Sequence, residues 1–469
     1  MNFFAPCPRG LEPLLADELR AIGASEPKTV PGGVQFAGDW ALCYRANLES
    51  RIASRILWQI TVGRYRSEED IYRIAYAPTW ARWFTPDETI RVFVTAHKSP
   101  LRSLEFATLR IKDAVCDHFR TVAGRRPDVD THAPDIRIHA FLSADTVTLY
   151  LDTSGEPLYK RGFKQASVEA PLKENLAAGI LRLAGWKPGD ALCDPMCGSG
   201  TFLIEAAQMA LDVAPGLGRH FAFERFKHFE RETWLPIRQA AEARRKAPRP
   251  LPIYGSDIVE DQVRKSFVNL RSAGLEGCVE LERADILTRK APEAAGVLIA
   301  NPPYGVRLSD TSELEALYPK LGDALKANWT GWRCYFFTGD PALPKGVRLK
   351  ASKRTPLFNG AIECRLFEYL MVAGSARKPK GGEALRLNVE ELKGTECAEG
   401  ERWHVQWQSL NVYVKVRRRL CERMRNRHLH VGRSEVGQDR TIDKFDQRVH
   451  RTGRMNQHMN IGRRPVKQQ

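Results

Sequence analysis

Between residue 171 and about residue 374 strand and helix signals alternate regularly, and that alternation constrains the chain more than any other feature. Strand signals fall at Ala191–Cys193, Ile253–Gly255, Val279–Glu282, Val297–Ala300 and Cys334–Thr338, with Cys364–Val372 expected as a last strand. Helices are expected over Leu172–Leu183 and from Thr201 past Met209. Such an order builds an α/β fold around a doubly wound parallel sheet, which binds ligands at the carboxyl ends of its strands. A charged, aromatic insertion from His220 to Arg249 interrupts the alternation.

The first 154 residues follow a different rhythm. Asn2–Ala5 is expected as a strand, and Leu11, Leu14, Leu15, Leu19 and Ile22 share one helical face that Gly23 stops. A second cycle runs through Val34–Ala37, a helix capped by Asp39 and ending at Glu49, and a strand over Ile56–Val62. From Ser67 the pattern predicts a helix over Glu68–Phe84, a strand over Thr89–Ala96, a helix over Leu104–Val122, and a hairpin of Ile136–Leu142 with Thr146–Leu151. This is a compact α+β unit. Its second helix is basic, with Arg102, Arg110 and Lys112 at or beside it, which suits either a phosphate backbone or an ordinary solvated face.

The 469 residues leave room for about three domains, and the formal net charge is +16. Residues 415–469 hold 16 Lys and Arg against 5 Asp and Glu, so +11 of that charge sits in the last stretch. Residues 383–414 keep Trp403, Trp407 and some strand-like alternation, whereas 415–469 are expected to be a basic, disordered tail, an appearance that an out-of-frame continuation would share. The ten cysteines are scattered and expected to be reduced; only Cys193 and Cys197 are close, without a second pair at zinc spacing, so no metal is expected. No apolar stretch is long enough for a membrane span, and the first residues lack a secretory leader, which points to the cytosol.

Chemistry concentrates at strand ends. Asp194-Pro195-Met196-Cys197-Gly198-Ser199-Gly200-Thr201 joins a buried strand to a helix, a place where glycines admit close backbone approach and the helix end favours an anionic group. Leu203 stands where a dinucleotide fingerprint needs its third glycine, and no triphosphate loop is present. Asp257, ending the next strand, can accept two ribose hydroxyls, and Asp285, ending the one after, can receive an adenine amino group; each can also be a plain helix cap. The sharpest motif is Asn301-Pro302-Pro303-Tyr304 after Val297–Ala300. Its prolines fix the turn, so the Asn301 side-chain oxygen and the Pro302 carbonyl form a pair of acceptors for an exocyclic amine, while Tyr304 offers a stacking surface for its ring.

Asp194–Thr201 followed by Asn301–Tyr304 resembles S-adenosylmethionine-dependent amino-methyltransferases. With Leu151–Gly155, Arg161-Gly162-Phe163, Ala170–Glu174 and Ile362–Phe367, the chain is similar to the THUMP-domain guanine-N2-methyltransferases of 23S ribosomal RNA. The resemblance covers residues 1 to about 374. It implies a ferredoxin-like subdomain over residues 1–64, a THUMP RNA-binding domain over 65–155, a Rossmann-like class I methyltransferase domain over 156–375, and a linker and tail over 376–469. It further implies S-adenosylmethionine held by Asp194, Pro195, Gly198, Gly200, Thr201, Asp257, Asp285 and Asn301, with Asn301, Pro302 and Tyr304 catalytic. Arg102, Arg110, Lys112 and Arg161 are the expected RNA contacts. Some family members carry a second methyltransferase domain at the C-terminus, but nothing after Gly382 has its glycine turn. The absence of a cysteine in the Asn-Pro-Pro-Tyr turn argues against 5-methylcytosine chemistry. Three alternatives stay open: the same reaction on tRNA, methylation of a protein glutamine amide, and an RNA-binding assembly factor with a vestigial fold.

Overall fold

The computed structural model describes residues 1–165, 172–302 and 311–372. Expectations for Pro303, Tyr304 and the tail fall outside them. Two seven-stranded sheets organise the described chain.

The first sheet takes β1 (Asn2–Pro6), β2 (Ser25–Val30), β3 (Gly33–Ala37), β4 (Leu57–Arg64), β5 (Ile90–Ala96), β6 (Ile136–Leu142) and β7 (Thr146–Asp152) in the order β2-β3-β1-β4-β7-β6-β5. β4 pairs with both β1 and β7, so the two expected N-terminal units share one sheet. Its inward residues alternate along each strand: Phe3 and Ala5, Val34 and Phe36, Ile136, Ile138 and Ala140, Val147, Leu149 and Leu151 are all buried. Against them pack α1 (Glu12–Ala21), α2 (Trp40–Glu49), α3 (Glu68–Tyr76) and α4 (Leu104–Ala123). Asp39 caps α2 through the Leu42 N–H, and Ser67 with Asp70 forms a reciprocal capping box on α3. The long helix expected over Glu68–Phe84 is a correction: it stops at Tyr76, and after Pro78 only the 3₁₀ turn Trp80–Arg82 follows.

The second sheet consists of β8 (Leu192–Asp194), β9 (Ile253–Asp257), β10 (Glu280–Arg283), β11 (Gly296–Ala300), β12 (Trp332–Thr338), β13 (Lys353–Asn359) and β14 (Ile362–Leu370), ordered β10-β9-β8-β11-β12-β14-β13. β8 to β12 pair in parallel, while β14 and β13 are antiparallel, so the sheet is mixed rather than wholly parallel. The reason is local: only Gly360 and Ala361 separate β13 from β14, and so short a link joins antiparallel neighbours alone. α5 (Glu174–Leu183), α6 (Thr201–Ala210), α7 (Arg231–Ala243), α8 (Glu260–Ser272) and α9 (Thr311–Asn328) complete this half. The chain reverses direction across the sheet at β8, which leaves a crevice between the carboxyl ends of β8 and β11.

The insertion supplies one of the contacts between the two halves. Phe223 and Trp234 lie 4.5 and 5.9 Å from the Tyr44 ring of α2, and Phe226 packs on Trp40. Beside this aromatic cluster lies a buried charge cluster. Arg161 donates to Glu205 of α6 at 3.1 Å and to the Arg51 carbonyl at 2.8 Å, and Arg51 reaches the same carboxylate at 3.3 Å.

Candidate active site at the carboxyl end of the second sheet

β8 delivers Asp194 into the crevice almost wholly buried, and its carboxylate accepts the Met196 N–H at 3.2 Å. Burial pushes its pKa up to about 8, helped by the nearby Asp257 charge. The glycine turn that follows needs its glycines. Gly198 and Gly200 have φ of +53° and +79°, and a Cβ on Gly200 would stand 3.0 Å from the Ser266 hydroxyl. The turn is also clamped from behind: Cys197 N–H donates to the Ser256 carbonyl, Gly198 N–H to Asp257 at 3.1 Å, and the Asn269 amide to the Ser199 carbonyl at 3.0 Å. Gly200 is the N-cap of α6 and supplies no side-chain cap, so the helix presents its first N–H groups at the turn.

Leu172, Asp194, Met196, Gly198, Thr201 and Asn301 line one cavity. Asn301, directly after β11, has a buried side-chain oxygen without a hydrogen-bond partner among the described residues. A buried acceptor of this kind is costly unless a ligand donates to it, and its residue lines the same cavity as the glycine turn. Pro302 behind it is buried. Sequence reasoning missed Lys164. Its ammonium lies 3.3 Å from the Thr201 hydroxyl and 3.5 Å from Glu174, with its side chain only 18% exposed. It places a cation at the α6 N-terminus, suited to a ligand carboxylate. The lysine follows Arg161-Gly162-Phe163, but nothing in the local pattern says that the loop folds back onto the turn.

Three family models match the chain: a ferredoxin-like domain model at residues 2–57 (RlmL ferredoxin-like domain), the THUMP domain at 65–152, and the RMKL-like methyltransferase domain at 161–368. The structure of SMU.472 complexed with SAH superposes with a TM-score of 0.72 at 30% identity, covering 79% of this chain and 97% of that one. The chain belongs to the THUMP-containing RMKL-like methyltransferases. A Listeria monocytogenes relative described as an N6-adenine-specific DNA methylase matches with a TM-score of 0.71 at 30% identity, over 78% of this chain and 95% of that one. The ribosomal RNA large subunit methyltransferase K/L of Syntrophotalea carbinolica is 41% identical over 380 residues, 79% of this chain and 53% of its own length. Its counterpart in Cellvibrio japonicus is 41% identical over 381 residues, covering 78% and 51%. The chain thus spans about half the length of these curated relatives.

The remaining expected site residues fall into two groups. Asp257 is tied to the crevice by its bond from Gly198, and its second oxygen accepts the Val259 N–H at 3.0 Å. Asp285 stands after β10 and accepts the Leu287 N–H at 2.9 Å; neither Asp257 nor Asp285 is among the residues lining the cavity. Pro195 is buried beneath the turn. The expected RNA contacts do not act together. Arg161 is a correction: it is 7% exposed and spends its guanidinium on Glu205 and two carbonyls, so it holds the two halves together and cannot meet a phosphate. Arg110 pairs with Glu69 and lies over the Tyr72 ring, and Lys112 pairs with Asp113; Arg102 is exposed. Among the described residues no His, Cys, Asp and Glu group has the makings of a metal site, and no helix is long and apolar enough to cross a membrane. The eight described cysteines are buried.

Proposed function

We propose that the protein transfers a methyl group from S-adenosylmethionine to the exocyclic N2 of a guanine in 23S ribosomal RNA. The observation that carries this reading is Asn301, which lines the same cavity as Asp194 and the glycine turn and whose buried side-chain oxygen has no partner among the described residues. The residues fit the cofactor: α6 and Lys164 suit its carboxylate, Asp194 its ammonium, and Asp257 its ribose hydroxyls. When bound, the cofactor supplies an electrophilic methyl on a sulfonium. The chain's part is to present the acceptor. Asn301 takes one amine N–H and the Pro302 carbonyl the other, which turns the nitrogen lone pair toward the methyl and leaves the departing proton on an acceptor-facing side. The expected stacking partner is Tyr304. Large-subunit ribosomal RNA is favoured as substrate by the likeness to the K/L methyltransferases together with the THUMP module.

The test supplies labelled S-adenosylmethionine to the protein with equimolar unmodified 23S rRNA, bulk tRNA and duplex DNA. Label is expected in the 23S rRNA. Label confined to tRNA, or to adenine in DNA as the Listeria relative's description would suggest, overturns the assignment.

A further inference from the structure

The four helices of the N-terminal half cover one face of the first sheet. Its opposite face holds a row of side chains that the methyl-transfer site does not use. Strand register fixes which residues are neighbours there. Arg91 lies beside Arg137, Phe93 beside His139, and Thr95 beside Phe141, each pair straddling β5 and β6. His139 in turn sits beside Tyr150, and Phe141 beside Thr148, which pairs with Val62. The Phe93 and His139 rings are stacked, 4.9 Å apart at 13°, and the Arg91 guanidinium covers Phe93 at 4.6 Å. Phe141 is 42% exposed and Val62 57% exposed; among the described residues Phe141 has no ring partner.

Charge on this face is mixed at one end, where Arg137 pairs with the half-exposed Glu156 at 3.1 Å, and basic at Arg64 and Arg91. Arg64 and Arg91 form no ion pair among the described residues, although one Arg91 nitrogen donates to the Thr131 carbonyl. Asp152, a second acid on that face, is 1% exposed and held between Arg55 and His139. Pre-stacked planar groups, an uncovered phenyl ring and two arginines, Arg64 and Arg91, without a carboxylate partner form a combination that suits single-stranded nucleic acid. Bases stack on aromatic faces and guanidinium planes while arginines meet the phosphates. A protein partner would need apolar area, yet threonines stand beside the rings at positions 95 and 148.

We propose that the open face of β5, β6 and β7, centred on Phe141 and the Arg91–Phe93–His139 stack, is a platform for a single-stranded segment of the RNA substrate. This rests on the RNA reading above and places substrate docking on the sheet rather than on the basic helix α4. Phe141 takes a base, the stacked row orients its neighbour, and Arg64 and Arg91 flank the backbone.

The test is fluorescence anisotropy of a fluorescein-labelled 12-nucleotide single-stranded RNA with the full chain. Phe141→Ala is expected to weaken binding by about 5- to 100-fold, as removing the stacking of one base should, and Phe141→Trp to restore it. The aromatic variants keep the salt dependence of the wild type, whereas Arg91→Gln lowers its slope by about 0.7 for each phosphate that the side chain no longer meets. Thermal melting and S-adenosylhomocysteine affinity, which do not involve this face, stay at wild-type values. Unchanged RNA affinity in Phe141→Ala and Phe93→Ala, with 23S rRNA still methylated by the wild type, overturns the platform and leaves the proposed function standing. A wild type that neither binds nor methylates RNA overturns both. Unchanged RNA affinity with abolished association to large-subunit precursor particles would assign the face to a protein instead, and also overturns the platform.

Discussion

Asp194 makes cofactor binding a protonation event. Burial holds its carboxyl at about 8, so at pH 7 the empty protein keeps roughly nine-tenths of these groups neutral. A cationic cofactor ammonium beside it demands the carboxylate, so binding S-adenosylhomocysteine at pH 7 is expected to release about 0.9 proton. For the same reason affinity rises with pH, by about 50-fold from pH 6 to pH 8, and flattens above the pKa. The stability of the empty protein moves the other way. Above about pH 4 the unfolded chain has lost this proton while the folded chain keeps it to about pH 8, so the native state binds more protons and stability declines through that window. Calorimetry in two buffers of different ionisation enthalpy measures the proton count, and Asp194→Asn should abolish it while removing the decline in stability. Proton release near zero and pH-independent affinity in the wild type would refute the reasoning.

Three further outcomes follow from the geometry. Asn301→Ala should lower turnover about 30- to 1,000-fold with little change in S-adenosylhomocysteine affinity, measured by single-turnover kinetics beside calorimetry. Lys164→Met should weaken S-adenosylhomocysteine about tenfold or more yet leave methylthioadenosine, which lacks the amino-acid end, unaffected; equal losses for both ligands would remove Lys164 from the carboxylate site. Arg161→Ala strands the buried Glu205 with Arg51 alone and should cost about 3–5 kcal/mol in urea unfolding, a destabilisation that an RNA-contact role would not produce.

The parts of the fold visible in the sequence are those with strong local periodicity. The buried strands β8, β9, β11 and β12 and the capped helices α2 and α4 appear within a few residues of their expected limits. Two strands carry no such signal, β2 and β13, and both are sheet edges containing a proline, Pro27 and Pro356. An edge needs no continuous donor row and little apolar alternation, so its pattern is weak. At the site, the glycine turn and Asn301 are legible because their chemistry lies within a few consecutive residues. Lys164 and the structural role of Arg161 are not. Their partners, Thr201 and Glu205, lie 37 and 44 residues further along the chain, and only packing brings them together. The aromatic row on the open sheet is hidden for a related reason: Phe93, His139 and Phe141 become neighbours through strand register.

The central claim, a methyl group placed on the exocyclic amine of guanine, is tested most directly by the identity of the modified nucleoside. Unmodified 23S rRNA is incubated with the protein and trideuteromethyl S-adenosylmethionine, digested to nucleosides and resolved by mass spectrometry against standards. The account predicts a single labelled product, 2-methylguanosine, that disappears with Asn301→Ala. Label in 5-methylcytidine, in a 2′-O-methyl nucleoside or in N6-methyladenosine would contradict it.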